Sequence, residues 1–264
     1  MRARSGWANG MTKVAADGLD ALRVEIGVRE IASLIERTAR WVAPETFRLM
    51  PVWFPEHGRG HHFYKANWAE PQMNTKRSTG VSAHKVEGNI YANQALTLAL
   101  GLRKSERPNW SCCHVWGVDD PTYQKSNDVV RDRRFYSCVA NMVLLPTPLK
   151  AFTDTMPEIK AMLRICGRNL YGWTCDHEGL ASTVATLDAW EAWDDYPDSW
   201  PRSPGERRPL GTVDLTPEIE HAAGARRDAI VRDLEDAGPH YPRAEVREVL
   251  AYWGIELTGT SALS

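Results

Sequence analysis

At 264 residues, with 43% apolar and 25% charged side chains, the chain can bury a sizeable core without disulfide or metal staples. No apolar run approaches the ~20 residues that cross a bilayer. The opening Met1-Arg2-Ala3-Arg4-Ser5-Gly6-Trp7 lacks the apolar stretch of a signal peptide, so a cytoplasmic protein without a membrane partner is expected. The formal charge of −2 is unevenly spread: residues 1–100 carry +4, residues 101–175 carry +4 and residues 176–264 carry −10. A mildly basic front suits phosphates; an acidic last third does not.

Five cysteines, with no paired Cys-x2-Cys knuckle, read as buried thiols rather than a metal cluster. Eleven tryptophans against five phenylalanines point to interfaces, where a large apolar body carries a polar edge.

In chain order, Leu19, Leu22, Ile26, Ile31, Leu34, Ile35, Ala39 and Val42 recur mostly at intervals of three and four, which predicts an amphipathic helix over 17–42. Residues 44–88 are aromatic, glycine-bearing and irregular, and short strands and turns fit them better than helix. Arg59, Lys65, Lys76 and Arg77 with Trp53, Phe63, Tyr64 and Trp68 have the residue types to hold a nucleic-acid strand by phosphate contact and stacking. A solvated loop region over a small core explains the same mixture, and is the commoner case. His61 and His62 are adjacent, so in an extended segment they face opposite ways and one at most joins a given site. Asn89–Leu100 reads as a helix stopped by Gly101.

Residues 109–154 organise the rest. Trp110-Ser111-Cys112-Cys113-His114 reads as a short strand ending in a histidine. A polar loop, a second apolar strand from Ala140-Asn141 to Leu145-Pro146, and a Pro-started helix through Lys150 and Asp154 follow. Beyond them, Thr155-Met156-Pro157-Glu158 has the form of a capping box opening a helix with Ile159, Met162, Leu163, Cys166 and Leu170 inward and Gly172 as its stop. Another helix is predicted over Gly179–Asp194, then a Pro-rich linker or extended arm near 196–210. Thr216-Pro217-Glu218 opens a charged helix to about Asp236, and a shorter one follows Pro242.

The stretch 109–154 resembles the HNH family of ββα-metal nucleases, in its divergent restriction and defence branch. His114 matches the family's first histidine, implied to be the general base. Asn141 matches the middle asparagine, implied to orient the histidine or brace the loop. The third position, nine residues after the asparagine, is usually a metal-binding His or Asn, and here it is Lys150. A protonated lysine has only donors and cannot ligate a cation. Asp154, one helical turn on, is the replacement ligand this reading expects, for Mg2+. The residue before the base is often acidic in the family and is Cys113 here, so Asp119, Asp120, Asp128 or Asp132 remain alternative carboxylate donors.

Lys150 would then contact phosphate directly, with Arg131, Arg133 and Arg134 of the loop. Alternate residues of 129–136 facing water as a strand flank explain the same arginines.

The fold class expected is α+β, with a ββα-metal hairpin module (101–175) embedded between an N-terminal helical and basic/aromatic region (1–100) and an acidic helical region (176–264). The function the resemblance implies is metal-dependent hydrolysis of DNA phosphodiesters. The alternative is a non-catalytic nucleic-acid-binding protein on a degenerate nuclease scaffold. A third class is a structural partner-binding protein that uses the acidic helices and the tryptophans. Cutting both DNA strands needs two such sites, which makes a homodimer attractive.

Overall fold

The computed structural model describes residues 17–117 and 127–257. The periodic stretch at the start forms two helices instead of one. Helix α1 (Gly18–Glu25) is capped by Asp17, whose Oδ1 accepts from the Leu19 amide at 2.7 Å, and α2 (Val28–Thr38) follows after a break at Ile26-Gly27. Glycine is a poor helix former, and the two halves differ in burial: α2 buries Ile31, Ala32 and Ile35, while α1 buries nothing.

Strand β1 (Trp41–Val42) leads into α3 (Pro44–Leu49), a helix the sequence reading missed, with Pro44 at its first turn. The region beyond matches the expected turns and short strands: β2 (Met73–Thr75) and β3 (Ser82–His84) make an exposed antiparallel hairpin. Helix α4 (Ile90–Ala99) falls where predicted, and Gly101, at φ +63, turns the chain away from it.

The hairpin at the heart of the sequence forms as expected. β4 (Trp110–His114) and β5 (Met142–Pro146) pair antiparallel from Trp110↔Pro146 to His114↔Met142. The run 129–136, weighed as a strand flank, is instead two short helical turns, α5 (Asp128–Arg131) and α6 (Arg133–Tyr136). Asp132 breaks the extended option by capping α6, its Oδ1 accepting from the Arg134 amide at 2.8 Å. Helix α7 (Thr147–Thr155) leaves β5 directly and lies against both strands.

Helix α8 (Pro157–Tyr171) buries the five residues its spacing selects and ends at Gly172, φ +62. No side chain caps its start, so the Thr155 capping box does not form. Helix α9 (Ala181–Asp188) is shorter than predicted. The Pro-rich segment after it is an irregular arm pinned to the body: Tyr196 and Trp200 are buried, and Asn169 donates to the Pro201 carbonyl at 2.9 Å. Strand β6 (Thr212–Val213) pairs parallel with β1, and α10 (Pro217–Asp236) and α11 (Arg243–Tyr252) close the chain.

The architecture is mixed α and β, helix-rich with small sheets. One cluster of buried apolar side chains runs from Ile31 in α2 to Leu250 in α11 and draws on all three segments of the sequence. Trp41, Trp53, Trp116 and Trp200 are fully buried in it. These tryptophans build the core, where the composition had pointed to interfaces. Among the described residues no helix is long and apolar enough to cross a membrane.

Candidate active site

His114 ends β4, partly buried, where the hairpin opens towards α6. Its Nε2 lies 2.8 Å from the Tyr136 carbonyl oxygen. A carbonyl only accepts, so Nε2 carries the hydrogen and Nδ1 keeps the lone pair. Burial pushes the imidazole pKa down to about 4; the carbonyl contact opposes this, and the nearby cations of Lys160, Arg59 and Lys150 reinforce it. The ring is therefore neutral, in the base form, across the physiological range.

The chain after β4 is held from three directions. Val115 donates to the Asn141 carbonyl at 2.8 Å, and the Trp116 amide donates to Asn141 Oδ1 at 2.6 Å. Asn141 Nδ2 donates to the Phe135 carbonyl at 3.0 Å. Arg164 of α8, itself buried, donates from Nε to Val115 O at 3.1 Å and from Nη2 to Gly117 O at 2.8 Å. A Cβ at Gly117 would meet the side-chain amide nitrogen of Asn127 at 2.6 Å.

Asn141 therefore ties the chain after β4 to the Phe135 carbonyl. It also fixes the Phe135-Tyr136 peptides, and the second of these carbonyls orients the histidine. Its action on His114 runs through the backbone.

On α7, Lys150 and Asp154 form an ion pair one helical turn apart, and Thr153 Oγ1 donates to the Lys150 carbonyl at 2.8 Å. The Cys113 thiol lies against this helix face. Burial pushes its pKa up to about 11, although Lys150 and Lys160 pull the other way and Thr153 hydrogen-bonds it. A magnesium ion wants six or so oxygen ligands. The described residues offer one carboxylate already paired with lysine, beside a neutral thiol. Among them no group of three or more His, Cys, Asp or Glu converges. By themselves they do not fit the ion. Asp119 and Asp120, two of the carboxylate donors left open above, lie outside the described residues. Asp128 sits at the start of α5, and Asp132 is occupied by Arg134.

The three loop arginines are placed differently from Lys150. With His61, Glu245 and Glu248 they border a depression of about 500 Å³ between α6 and α11. Arg134 grips Asp132 through three contacts of 2.6–3.1 Å and lies over the rings of Phe135 and Tyr252. Arg133 donates to the Glu56 carbonyl at 3.3 Å, and Arg131 is exposed at the end of α5. Arg59, Lys160, Arg164 and the Tyr136 carbonyl are the contributors to the His114 site that sequence reasoning did not assign to it. A backbone carbonyl leaves no signal in a sequence. Arg164, between Leu163 and Ile165 on a helix that buries both, was the one legible hint.

The aromatic residues of 53–68 serve the core more than a surface. Trp53 and Phe63 are buried, and the rings of Tyr64 and Trp68 pack together at 5.1 Å, tilted by 32°. His62 stacks on His84 at 4.5 Å, yet His61 and His62 both border one depression with Glu56, Arg133 and His240, so the adjacent histidines are not parted as the extended-segment argument expected.

All five cysteines are free, buried thiols. No family model, curated protein or solved structure matches this chain.

Proposed function

We propose that the chain hydrolyses phosphodiester bonds in DNA, with His114 as the general base. The observation that carries this reading is the anchored, neutral imidazole: Nε2–H held by the Tyr136 carbonyl, Nδ1 left as a base, and cations close enough to depress its pKa. Nδ1 takes the proton from water as its oxygen attacks phosphorus. Lys150, Lys160 and Arg59 supply positive charge where negative charge develops on the phosphate and the leaving oxygen. Asn141 and Arg164 keep the loop from shifting as this happens. Of the three loop arginines, exposed Arg131 is the one best suited to a flanking phosphate.

The resemblance implies Mg2+, which would add Lewis-acid charge at the phosphate. The described donors do not make its site. A second reading, DNA binding without cleavage, is favoured by the Lys150–Asp154 pair, which neutralises the one carboxylate at the position of interest.

Supercoiled plasmid and genomic DNA incubated with wild type and His114→Ala, each with Mg2+, Mn2+ or chelator, separate these readings. Cleavage that vanishes in the variant is the expected result, and the chelator arm reads the metal requirement. No cleavage by either protein, with equal DNA binding, overturns the hydrolase in favour of the binding protein.

A further inference from the structure

At the far end of β4 from His114 a second feature opens. Helix α4 shows two faces: Ala92, Ala95, Leu96 and Ala99 pack into the core, while Ile90, Asn93, Gln94, Thr97 and Leu98 line an open cleft of about 970 Å³. That is the upper end of the range for small-molecule sites. The opposite wall is the 102–110 segment, with Leu102 and Trp110 adding apolar surface. Ile90 is 53% exposed, an unusual setting for a large β-branched side chain at the start of a helix.

Charge makes the cleft selective. Arg103, Lys104 and Arg107 line it, and no Asp or Glu does so among the described residues. Arg107 Nη1 and Nη2 already donate to Asn93 at 3.1–3.3 Å, while Asn89 Oδ1 and Arg107 Nε are buried with no hydrogen-bond partner. An occupant should bring a flat apolar body and anionic acceptors for the exposed Arg103 and Lys104. An unstacked nucleobase on its sugar-phosphate chain has both. In a duplex the bases are stacked and paired, and an apolar cleft gains little from them.

We infer that this cleft is a subsite for an unpaired stretch of polynucleotide, with bases lying on Ile90, Leu98 and Trp110 and phosphates meeting Arg103 and Lys104. The inference rests on the nucleic-acid reading of the His114 site and narrows its substrate class to strands with an unpaired segment. The spacing is compatible: four residue steps along β4 take Trp110 to His114, about 13 Å, or about four stacked nucleotides of one strand.

The test measures binding in chelator, on a His114→Ala background, so that failure of catalysis cannot disguise failure of the subsite. Labelled single-stranded DNA, single-stranded RNA and duplex DNA of matched sequence are the probes. They are compared on the parent, on Arg103→Glu/Lys104→Glu and on Ile90→Ser, all exposed positions where the fold is checked by thermal melting. Single strands should bind at least about tenfold tighter than duplex, and each variant should lose about tenfold for single strands while duplex binding moves less. The DNA and RNA arms tell which sugar is preferred. Duplex bound as tightly as single strands, with the variants unaffected, overturns the subsite and leaves the nuclease reading standing. No binding of any probe at low salt overturns both. Displacement of the single strand by poly-glutamate as readily as by unlabelled oligonucleotide overturns it in favour of an acidic protein partner.

Discussion

His57 and His114 are both held neutral inside this molecule, and their surroundings differ in kind. His57 is 6% exposed, stacked on Tyr91 at 3.4 Å and 9° and on Trp68 at 5.2 Å. It sits beside the buried Glu56–Arg226 ion pair, and burial with the nearby Arg226 and Arg133 cations pushes its pKa down to about 2. Packing closes both of its ring faces. His114 is less deeply enclosed, its pKa lies near 4, and one nitrogen is fixed by a carbonyl while the other is left as a base. The depressed pKa alone does not separate a packed histidine from a working one. What sets His114 apart is the carbonyl that anchors Nε2 and the partly exposed position of its ring.

The largest effect should come from the packed side of this comparison. Arg226→Met leaves the Glu56 carboxylate buried without its partner, and burial already raises the Glu56 pKa against the pull of Arg226. A loss of about 3–5 kcal/mol in urea unfolding is expected, with much of it recovered by Glu56→Leu in the same chain. If the single variant unfolds like wild type, the Glu56–Arg226 pair does not hold this cluster together.

Asn141→Ala comes next. It strands the Trp116 amide and the Phe135 carbonyl in a fully buried position, at about 2–4 kcal/mol, and it should lower cleavage as well by releasing the loop that orients His114. Full activity in a destabilised variant would separate the brace from the base.

Acid tests both histidines at once. Their folded pKa values, about 2 and about 4, lie below the ordinary 6.5, so the unfolded chain binds more protons as pH falls. Stability should thus be complete above about pH 6.5 and decline towards pH 4, by roughly 1.4 kcal/mol per pH unit for each histidine. Urea midpoints across that range would show it, and a flat profile would contradict the burial of both.

His114→Ala should change stability by only about 1 kcal/mol, since one hydrogen bond is lost, while removing cleavage. The smallest effect is Lys150→Ala. Its pair with Asp154 is partly exposed and contributes below about 1 kcal/mol. Removing one cation should nonetheless raise the His114 pKa, which an NMR titration of the imidazole would read directly.

Much of the frame was legible in the residues. The period of three and four in α8, the stops at Gly101 and Gly172, and the Thr216-Pro217 start of α10 were visible because caps and helical faces are local. The β4–β5–α7 order was legible for the same reason, as was the shared face of Lys150 and Asp154. The run 129–136 was not, because Asp132 can cap a turn or sit in a strand, and burial of Phe135 and Tyr136 decides between them. The loop arginines were grouped with Lys150 by proximity in sequence, yet Asp132 and the face of α11 draw them elsewhere.

The sequence by itself determined the helix faces, the hairpin and the two residues, His114 and Asn141, on which the functional reading stands. It could do so because periodicity, capping and turn chemistry act over a few residues. Tertiary structure alone decided what those two side chains do. The Tyr136 carbonyl selects the tautomer of His114, the Phe135 carbonyl and Trp116 amide claim Asn141, and Arg164, from a helix 49 positions beyond Val115, ties down the loop between them. Those partners are backbone groups and distant charges, whose meeting depends on how the whole core packs.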